Sequence, residues 1–301
     1  MAKKFKIEGI ITALLTPLTK DEQINEDAYK QLIDFQIEQG IQGFFPLGTA
    51  GEGMKLSLEK RKKAAEIVVD HTDGRVPIIL HVGTQDTEMT LHLAKHAKNI
   101  GVDAIGAVGP FFYKPDTQGL IQHYQRIGEA VDLPLFVYNN VDRQGYNITP
   151  ETFRRIAEKT QQIAGLKDTS YNIEQMEDYV HMFGKEYTII GAGDSIIFPI
   201  FAVGAAAHIS MISNVFPKLT IQVYENTKKG DYKKARELQF ILNELRNIFR
   251  KGPYITPYKE AMKILYGIDL GAVSSPLRSM TNDEIKTLKE GLSEIKAKYG
   301  L

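Results

Sequence analysis

The sequence predicts a (β/α)8 TIM barrel with a C-terminal helical extension, from three observations. Eight apolar runs of four to seven residues alternate with amphipathic segments of helical length. The alternation fills about 210 residues, which suits a closed barrel better than an open doubly wound sheet. After Ile212 it gives way to helix-like segments alone.

In chain order, GIITALL at 9–15 reads as the first strand and 26–39 as the first helix, which Gly40 stops. GFFPL at 43–47 and VPIILHV at 76–82 flank a charged amphipathic segment at 58–71. The segment 87–100 ends at Gly101, AIGAV at 104–108 follows, and 117–131 is the fourth helix. LFVY at 135–138 leads toward 150–159, whose start is marked by Thr149 as a capping side chain and Pro150 at the first helical position. IAGLK at 163–167, a helix at 173–183 closed by Gly184, YTII at 187–190, a helix at 195–203 and AHISMI at 207–212 complete the repeat. The segments 218–228, 231–250, 257–265 and 283–298 follow as helices. We assign 1–225 to the barrel with the catalytic site and 226–301 to the helical extension packed on it; no linker-like composition separates them.

Composition narrows the function classes. Lysine plus arginine balances aspartate plus glutamate at 37 each, with no like-charge block, so neither nucleic acid nor an anionic membrane is an expected partner. The chain has no cysteine, which excludes disulfides, thiolate nucleophiles and cysteine-bound metals. No stretch approaches the roughly 18 apolar residues of a membrane span. The opening MAKKFKIEGIITALLTP reads as a basic patch leading into a strand, not a signal peptide, and a cytoplasmic location is expected.

A barrel carries its chemistry at the C-terminal ends of the strands. Those ends supply Thr16, Thr49, the Pro110–Phe112 turn, Tyr138, Lys167, Gly193 and Ile209. Lys167 ends the apolar run IAGL, so burial would disfavour its ammonium form and free an amine that can attack a ketone. A lysine there can also snorkel to solvent. The Tyr138 hydroxyl could shuttle protons to a carbonyl oxygen, or be a hydrogen-bonded core group. GTAGEG, Gly48 to Gly53, lacks the lysine of a phosphate loop, yet its backbone N–H groups could hold a carboxylate. His92 and His96 lie four apart without the metalloprotease glutamate, so no metal is expected from them. Asp168 and Asp194 read as hydrogen-bonding their neighbouring loops.

Taken in order, GIITALLTP, GTAGEG with Leu56 and Ser57 after it, VYNN, GLKDTS and SSPLRSMT resemble the dihydrodipicolinate synthase/N-acetylneuraminate lyase family over the whole chain. The resemblance implies a pyruvate-type Schiff-base lyase needing no cofactor and no metal. It implies Lys167 as the imine-forming lysine, Tyr138 as the proton relay and Thr49 as the threonine connected to it. Gly48, Thr49 and Ala50 would hold the pyruvate carboxylate; Gly193 and the Ile209 carbonyl would face the substrate.

Departures bear on the second substrate. Ala50 replaces the second threonine of the usual GTTGE, and Phe112 stands where synthases carry a relay tyrosine from a neighbouring subunit. Arg143 matches the arginine that synthases use for the carboxylate of aspartate semialdehyde. The positions of feedback lysine hold Gly53, Leu58, Arg61 and Phe111, so lysine inhibition is not expected. The resemblance therefore implies pyruvate plus aspartate semialdehyde. KDTS and GDSIIF look more like 2-keto-3-deoxy-sugar-acid aldolases, which with an N-acetylneuraminate lyase-like enzyme form the alternative. A non-catalytic keto-acid-binding barrel is the reading from another class. A homo-oligomer, dimer or tetramer, is implied by the resemblance.

Overall fold

The computed structural model describes residues 5–300. Its elements run β1 (Gly9–Thr12), α1 (Glu26–Glu38), β2 (Gly43–Phe44), α2 (Leu58–Thr72), β3 (Ile79–His81), α3 (Thr87–Asn99), β4 (Ala104–Val108) and α4 (Thr117–Ala130). Then come β5 (Leu135–Asn139), α5 (Val141–Gln144), α6 (Pro150–Lys159), β6 (Ile163–Asp168), α7 (Ile173–Phe183), β7 (Thr188–Ala192), α8 (Ile197–Ala202) and β8 (Ala207–Ser210). Helices α9 (Pro217–Lys228), α10 (Tyr232–Phe249), α11 (Thr256–Tyr266) and α12 (Asn282–Tyr299) end the chain.

All strand pairs are parallel, in the order β2-β1-β8-β7-β6-β5-β4-β3. The open edges meet through a Phe44–Ile78 bridge, with Phe44 N donating to the Pro77 carbonyl at 3.0 Å and His81 N to the Pro46 carbonyl at 3.2 Å. These bonds close the barrel, so the expected fold is the observed one.

The helices start where short polar side chains cap them. Asn25, Ser57, Asp86, Asp116, Thr149 and Asn172 each accept the backbone N–H three residues on, satisfying a donor the helix leaves free. The strands are shorter than their apolar runs. Ala13, Leu14 and Leu15 stay buried after β1 ends, so apolar composition continues past the ladder. A bulge on β6 leaves Ala164 without a partner on β5, because Leu135 pairs with Ile163 and Phe136 with Gly165. Beyond it Tyr138 pairs with Lys167, putting both side chains on one face at the barrel mouth. Residue 225 lies inside α9, which runs on to Lys228 before α10 begins.

Candidate active site

Lys167 and Tyr138 meet at the floor of a cavity of about 620 Å³. Lys167 is 4 % exposed, its Nζ 3.8 Å from the Tyr138 ring centroid and 3.9 Å from that of Phe45. Two opposing effects act there. An ammonium over aromatic faces gains about 0.5–2 kcal/mol, whereas taking an ammonium out of water costs several kcal/mol. Burial wins: it holds the amine well below the usual lysine range, with Asp194 pulling the other way. Asp194 is itself engaged, accepting from Ser210 Oγ at 2.7 Å and from Ile212 N at 2.9 Å. The floor therefore presents an amine able to act as a nucleophile, where a snorkelling lysine would have its head in solvent.

The Tyr138 hydroxyl accepts from Asn140 Nδ2 at 2.8 Å. Burial pushes its phenol up; the polar side chains of Thr49, Thr169 and Asn140, then Arg143, pull it back. His81 packs edge-on to the Tyr138 ring at 5.7 Å between centroids, its Nδ1 facing the Leu47 carbonyl at 3.1 Å. Burial, then Arg61 and Lys167, drive His81 well below the usual imidazole range, so it is neutral and Nδ1–H donates.

Two residues here stand in the left-handed region, Leu47 just before the GTAGEG turn (φ 59°) and Glu52 within it (φ 56°). Gly53 cannot be replaced without moving backbone, since a Cβ there would lie 1.8 Å from the Leu47 carbonyl oxygen. Thr16 Oγ1 ties the turn to the segment that follows β1 by donating to the Gly51 carbonyl at 2.7 Å. Glu52 Oε1 lies 3.0 Å from Lys259 Nζ, and Oε2 lies 2.9 Å from Lys55 Nζ and accepts from Ser274 N at 2.8 Å. Two of the three Lys259 ammonium protons go to the carbonyls of Thr16 and Ala272, which leaves one toward Glu52 Oε1. Burial lowers the Lys259 amine, with Glu52 opposing. Helix α11 thereby anchors the turn that presents Thr49 and Ala50 to the cavity.

Most of the sequence-derived site residues converge. Lys167, Tyr138, Thr49, Ala50, Arg143, Gly193 and Ile209 line this cavity. Gly193 has φ 105°, and a Cβ there would come within 2.6 Å of the Tyr171 ring. Gly48 stands one residue back, its carbonyl accepting from Gly53 N at 3.2 Å. Phe112 is not brought in: it is 87 % exposed on a turn at φ 71°, and the ring it contacts is Tyr113, at 5.1 Å. Asp168 plays the expected loop role, accepting from Asn139 Nδ2 at 2.7 Å and Ser170 Oγ at 2.5 Å. His96 pairs with Glu66 at 2.7 Å, and among the described residues no cluster of His, Asp and Glu is placed to hold a metal.

Sequence reasoning missed the wall built after the barrel. Arg246, Arg250, Tyr254, Ile255 and Tyr258 line the same cavity from α10, α11 and the loop between them. Arg143 lies 5.4 Å from the Tyr254 ring, closing that wall against the β5 side. A smaller cavity of about 280 Å³ adjoins behind Tyr138, lined by Met54, Val108, Phe111 and Leu277.

A model of the dihydrodipicolinate synthetase family matches residues 6–295. The chain is 35 % identical over 298 residues to the 4-hydroxy-tetrahydrodipicolinate synthase of Methanopyrus kandleri, covering 99 % of this chain and 98 % of that one. A dihydrodipicolinate synthase from Aquifex aeolicus superposes with a TM-score of 0.90 at 28 % identity, covering 98 % of each chain. A catalytic-lysine mutant of Ruminococcus gnavus sialic acid aldolase superposes at 0.94 and 25 % identity, covering 99 % of this chain and all of that one.

Proposed function

The chain belongs to the dihydrodipicolinate synthetase family, and on that premise we propose that it is a Schiff-base lyase of the 4-hydroxy-tetrahydrodipicolinate synthase type, joining pyruvate to aspartate semialdehyde through Lys167. It acts on small molecules. The observation that carries the reading is the Lys167 amine, buried and held below its ordinary range at the floor of a cavity that Tyr138 shares.

Nζ attacks the ketone carbon of pyruvate, and the adduct loses its oxygen as water to leave the imine. The imine draws electrons from the neighbouring methyl group, which loses a proton to give the enamine. That carbon adds to the aldehyde, whose oxygen takes up a proton. With aspartate semialdehyde the acceptor's own amino group then attacks the imine carbon, closing a six-membered ring and displacing Nζ as the free amine; with an acceptor that has no amine, water hydrolyses the imine instead. Run in reverse, the same steps cleave a 2-keto acid into pyruvate and an aldehyde. Tyr138 serves as the proton relay, with Thr49 beside it. The N–H groups at Thr49 and Ala50, with Gly48 completing the turn, hold the pyruvate carboxylate. Arg143 meets the carboxylate of the acceptor. Gly193 and the Ile209 carbonyl complete the wall.

The test is borohydride reduction in the presence of pyruvate, followed by peptide mass spectrometry. A reduced pyruvate adduct on Lys167, lost in Lys167→Ala, is expected; an intact wild-type protein without it overturns the mechanism. Turnover of pyruvate with aspartate semialdehyde, against cleavage of 2-keto-3-deoxygluconate and N-acetylneuraminate, identifies the partner. The likeness to a sialic acid aldolase favours the cleavage direction as the second reading. A trapped adduct with no turnover in any of these would leave a keto-acid-binding barrel.

Two further readings belong here. The exposed Phe112 and Tyr113 rings support a homo-oligomeric contact, which sedimentation of wild type and Phe112→Ser would test. A cytoplasmic location is part of the same reading, and tagged-protein fractionation would test it.

A further inference from the structure

Two parts of the catalytic floor, the turn after β2 and the Tyr138 ring on β5, meet at one side chain. His81 is the last residue of β3 and is 3 % exposed. Its Nδ1–H donates to the Leu47 carbonyl at 3.1 Å. Its Nε2 accepts from the backbone N–H of Val108, the residue that pairs with Tyr138 across β4 and β5, at 3.4 Å. Among the described residues no other donor reaches the Leu47 oxygen. The chain is most constrained at that peptide. Leu47 has φ 59°, a region that leucine rarely adopts, and Gly53 folds back so closely that only a glycine fits against the same oxygen. Because a peptide unit is planar, holding the Leu47 oxygen also sets the direction of the Gly48 N–H, and Thr49 and Ala50 follow from it. The imidazole meanwhile stands edge-on to Tyr138, at 85° between planes, and Phe45 completes a cluster of three rings with centroids 5.7–5.8 Å apart. Edge-to-face contacts of this kind orient a ring. The other two rings are the ones over which Lys167 Nζ lies.

We propose that His81 is a positioning residue for the imine reaction: through the Leu47 carbonyl it holds the turn that binds the pyruvate carboxylate, and through its ring it sets the plane of Tyr138. This rests on the imine chemistry of Lys167 and on the roles given above to the turn and to Tyr138. His81 acts through those two groups and exchanges no proton with the substrate. Imidazole can do both tasks because it is a flat ring with a donor and an acceptor on its rim. The tasks can be separated by substitution. Phenylalanine keeps a flat ring against Tyr138 but has no donor, whereas asparagine puts an amide N–H where Nδ1–H stood and has no ring.

The test follows exchange of the pyruvate methyl hydrogens with D2O by proton NMR, which reports imine and enamine formation and needs no acceptor aldehyde. Wild type, His81→Phe, His81→Asn and His81→Leu are compared. His81→Phe should raise the KM for pyruvate about tenfold, the loss expected for one buried hydrogen bond, and leave kcat near wild type. His81→Asn should do the reverse, keeping KM and lowering kcat about 10- to 100-fold through a displaced proton carrier. His81→Leu should show both losses. Equal changes in KM and kcat in the Phe and Asn variants, or none in either, overturn the proposal, because a residue that only fills the core gives no such split. A measurement on wild type stands whether or not the variants fold: nitrogen-15 shifts of labelled histidine should show His81 protonated at Nδ1 and bare at Nε2. The opposite tautomer cannot donate to Leu47 and overturns the proposal. Borohydride trapping on Lys167 is run on the same samples. Its absence in wild type refutes the imine reading itself, whereas trapping without the split refutes only the role of His81.

Discussion

Replacing Lys259 with methionine tests whether the helical extension holds the catalytic turn in place. Lys259 and Glu52 are both buried, with side-chain exposures of 2 % and 0 %. Removing one member of such a pair costs about 3–5 kcal/mol, because the other charge is left uncompensated. Here Lys259→Met leaves Glu52 still held by Lys55 and Ser274 N, which moves the loss toward the lower end. It also strips a donor from the Thr16 and Ala272 carbonyls, each worth about 1–3 kcal/mol when buried and unsatisfied. A loss of about 5 kcal/mol or more is expected. Glu52→Gln should cost less, about 1–3 kcal/mol, because burial already lowers the Lys259 amine and lets it neutralise. The double variant should fall short of the sum of the singles by about 1–3 kcal/mol. Urea unfolding followed by tyrosine fluorescence supplies the numbers, since the chain has 14 tyrosines and no tryptophan. The KM for pyruvate should rise in both single variants, because Thr49 and Ala50 hang on the same turn. Additivity within about 0.5 kcal/mol, or an unchanged pyruvate KM, would refute the coupling.

Tyr138→Phe keeps the ring beside Lys167 but removes the proton carrier, so kcat should drop about 10²- to 10⁴-fold while borohydride still traps pyruvate; wild-type turnover would end the relay role. The Lys167 amine is depressed in the fold relative to its ordinary 10.5, so the unfolded chain binds the extra proton from the folded value up to 10.5. Stability contributed by this group therefore rises with pH across that window. Lys167→Met should flatten the rise and be the more stable protein at neutral pH; identical pH slopes of the urea midpoint would contradict this. Gly193→Ala forces a Cβ to within 2.6 Å of the Tyr171 ring at φ 105° and should cost about 1–3 kcal/mol, read as a lowered melting temperature. Free lysine at millimolar concentration should leave turnover unchanged, because Arg61 is spent on the carbonyls of His81 and Gly83, and Met54, Phe111 and Leu277 wall the side cavity; inhibition would show a lysine site after all.

Residues on strand ends were legible because their position is coded locally. An apolar run that stops at a lysine or tyrosine fixes which end of the barrel the side chain reaches, and Lys167 and Tyr138 lie there in register. Other features have no such local code. The Ala164 bulge depends on how β6 meets β5, and α5 is too short at four residues to show a period. Phe112 stands by motif where a neighbouring subunit would contribute a residue, and in the single chain its ring is exposed. His81 ends β3 among apolar neighbours, and only the fold shows it neutral against Tyr138. Arg246 and Arg250 look like ordinary surface charges on an amphipathic helix until the end of α10 is seen to line the cavity.

That difference separates reaction from partner. The floor of the cavity comes from strand ends and the turn after β2, where Phe45, Tyr138 and Lys167 desolvate one another and make an amine nucleophile wherever the barrel closes. The far wall comes from α10 and α11, outside the repeat, and touches the floor groups through Arg143 against Tyr254. Substitution on α10 changes the charge facing the acceptor, whereas burial is the main cause that lowers the Lys167 amine and Asp194 is the charge that opposes it. The imine chemistry and the choice of carbonyl partner are thus set by different parts of the chain. Exchanging residues 246–250 for those of a relative should move acceptor preference while leaving the alkaline pH dependence of pyruvate trapping where it was; a shift in that dependence would show that the wall and the amine are electrostatically coupled.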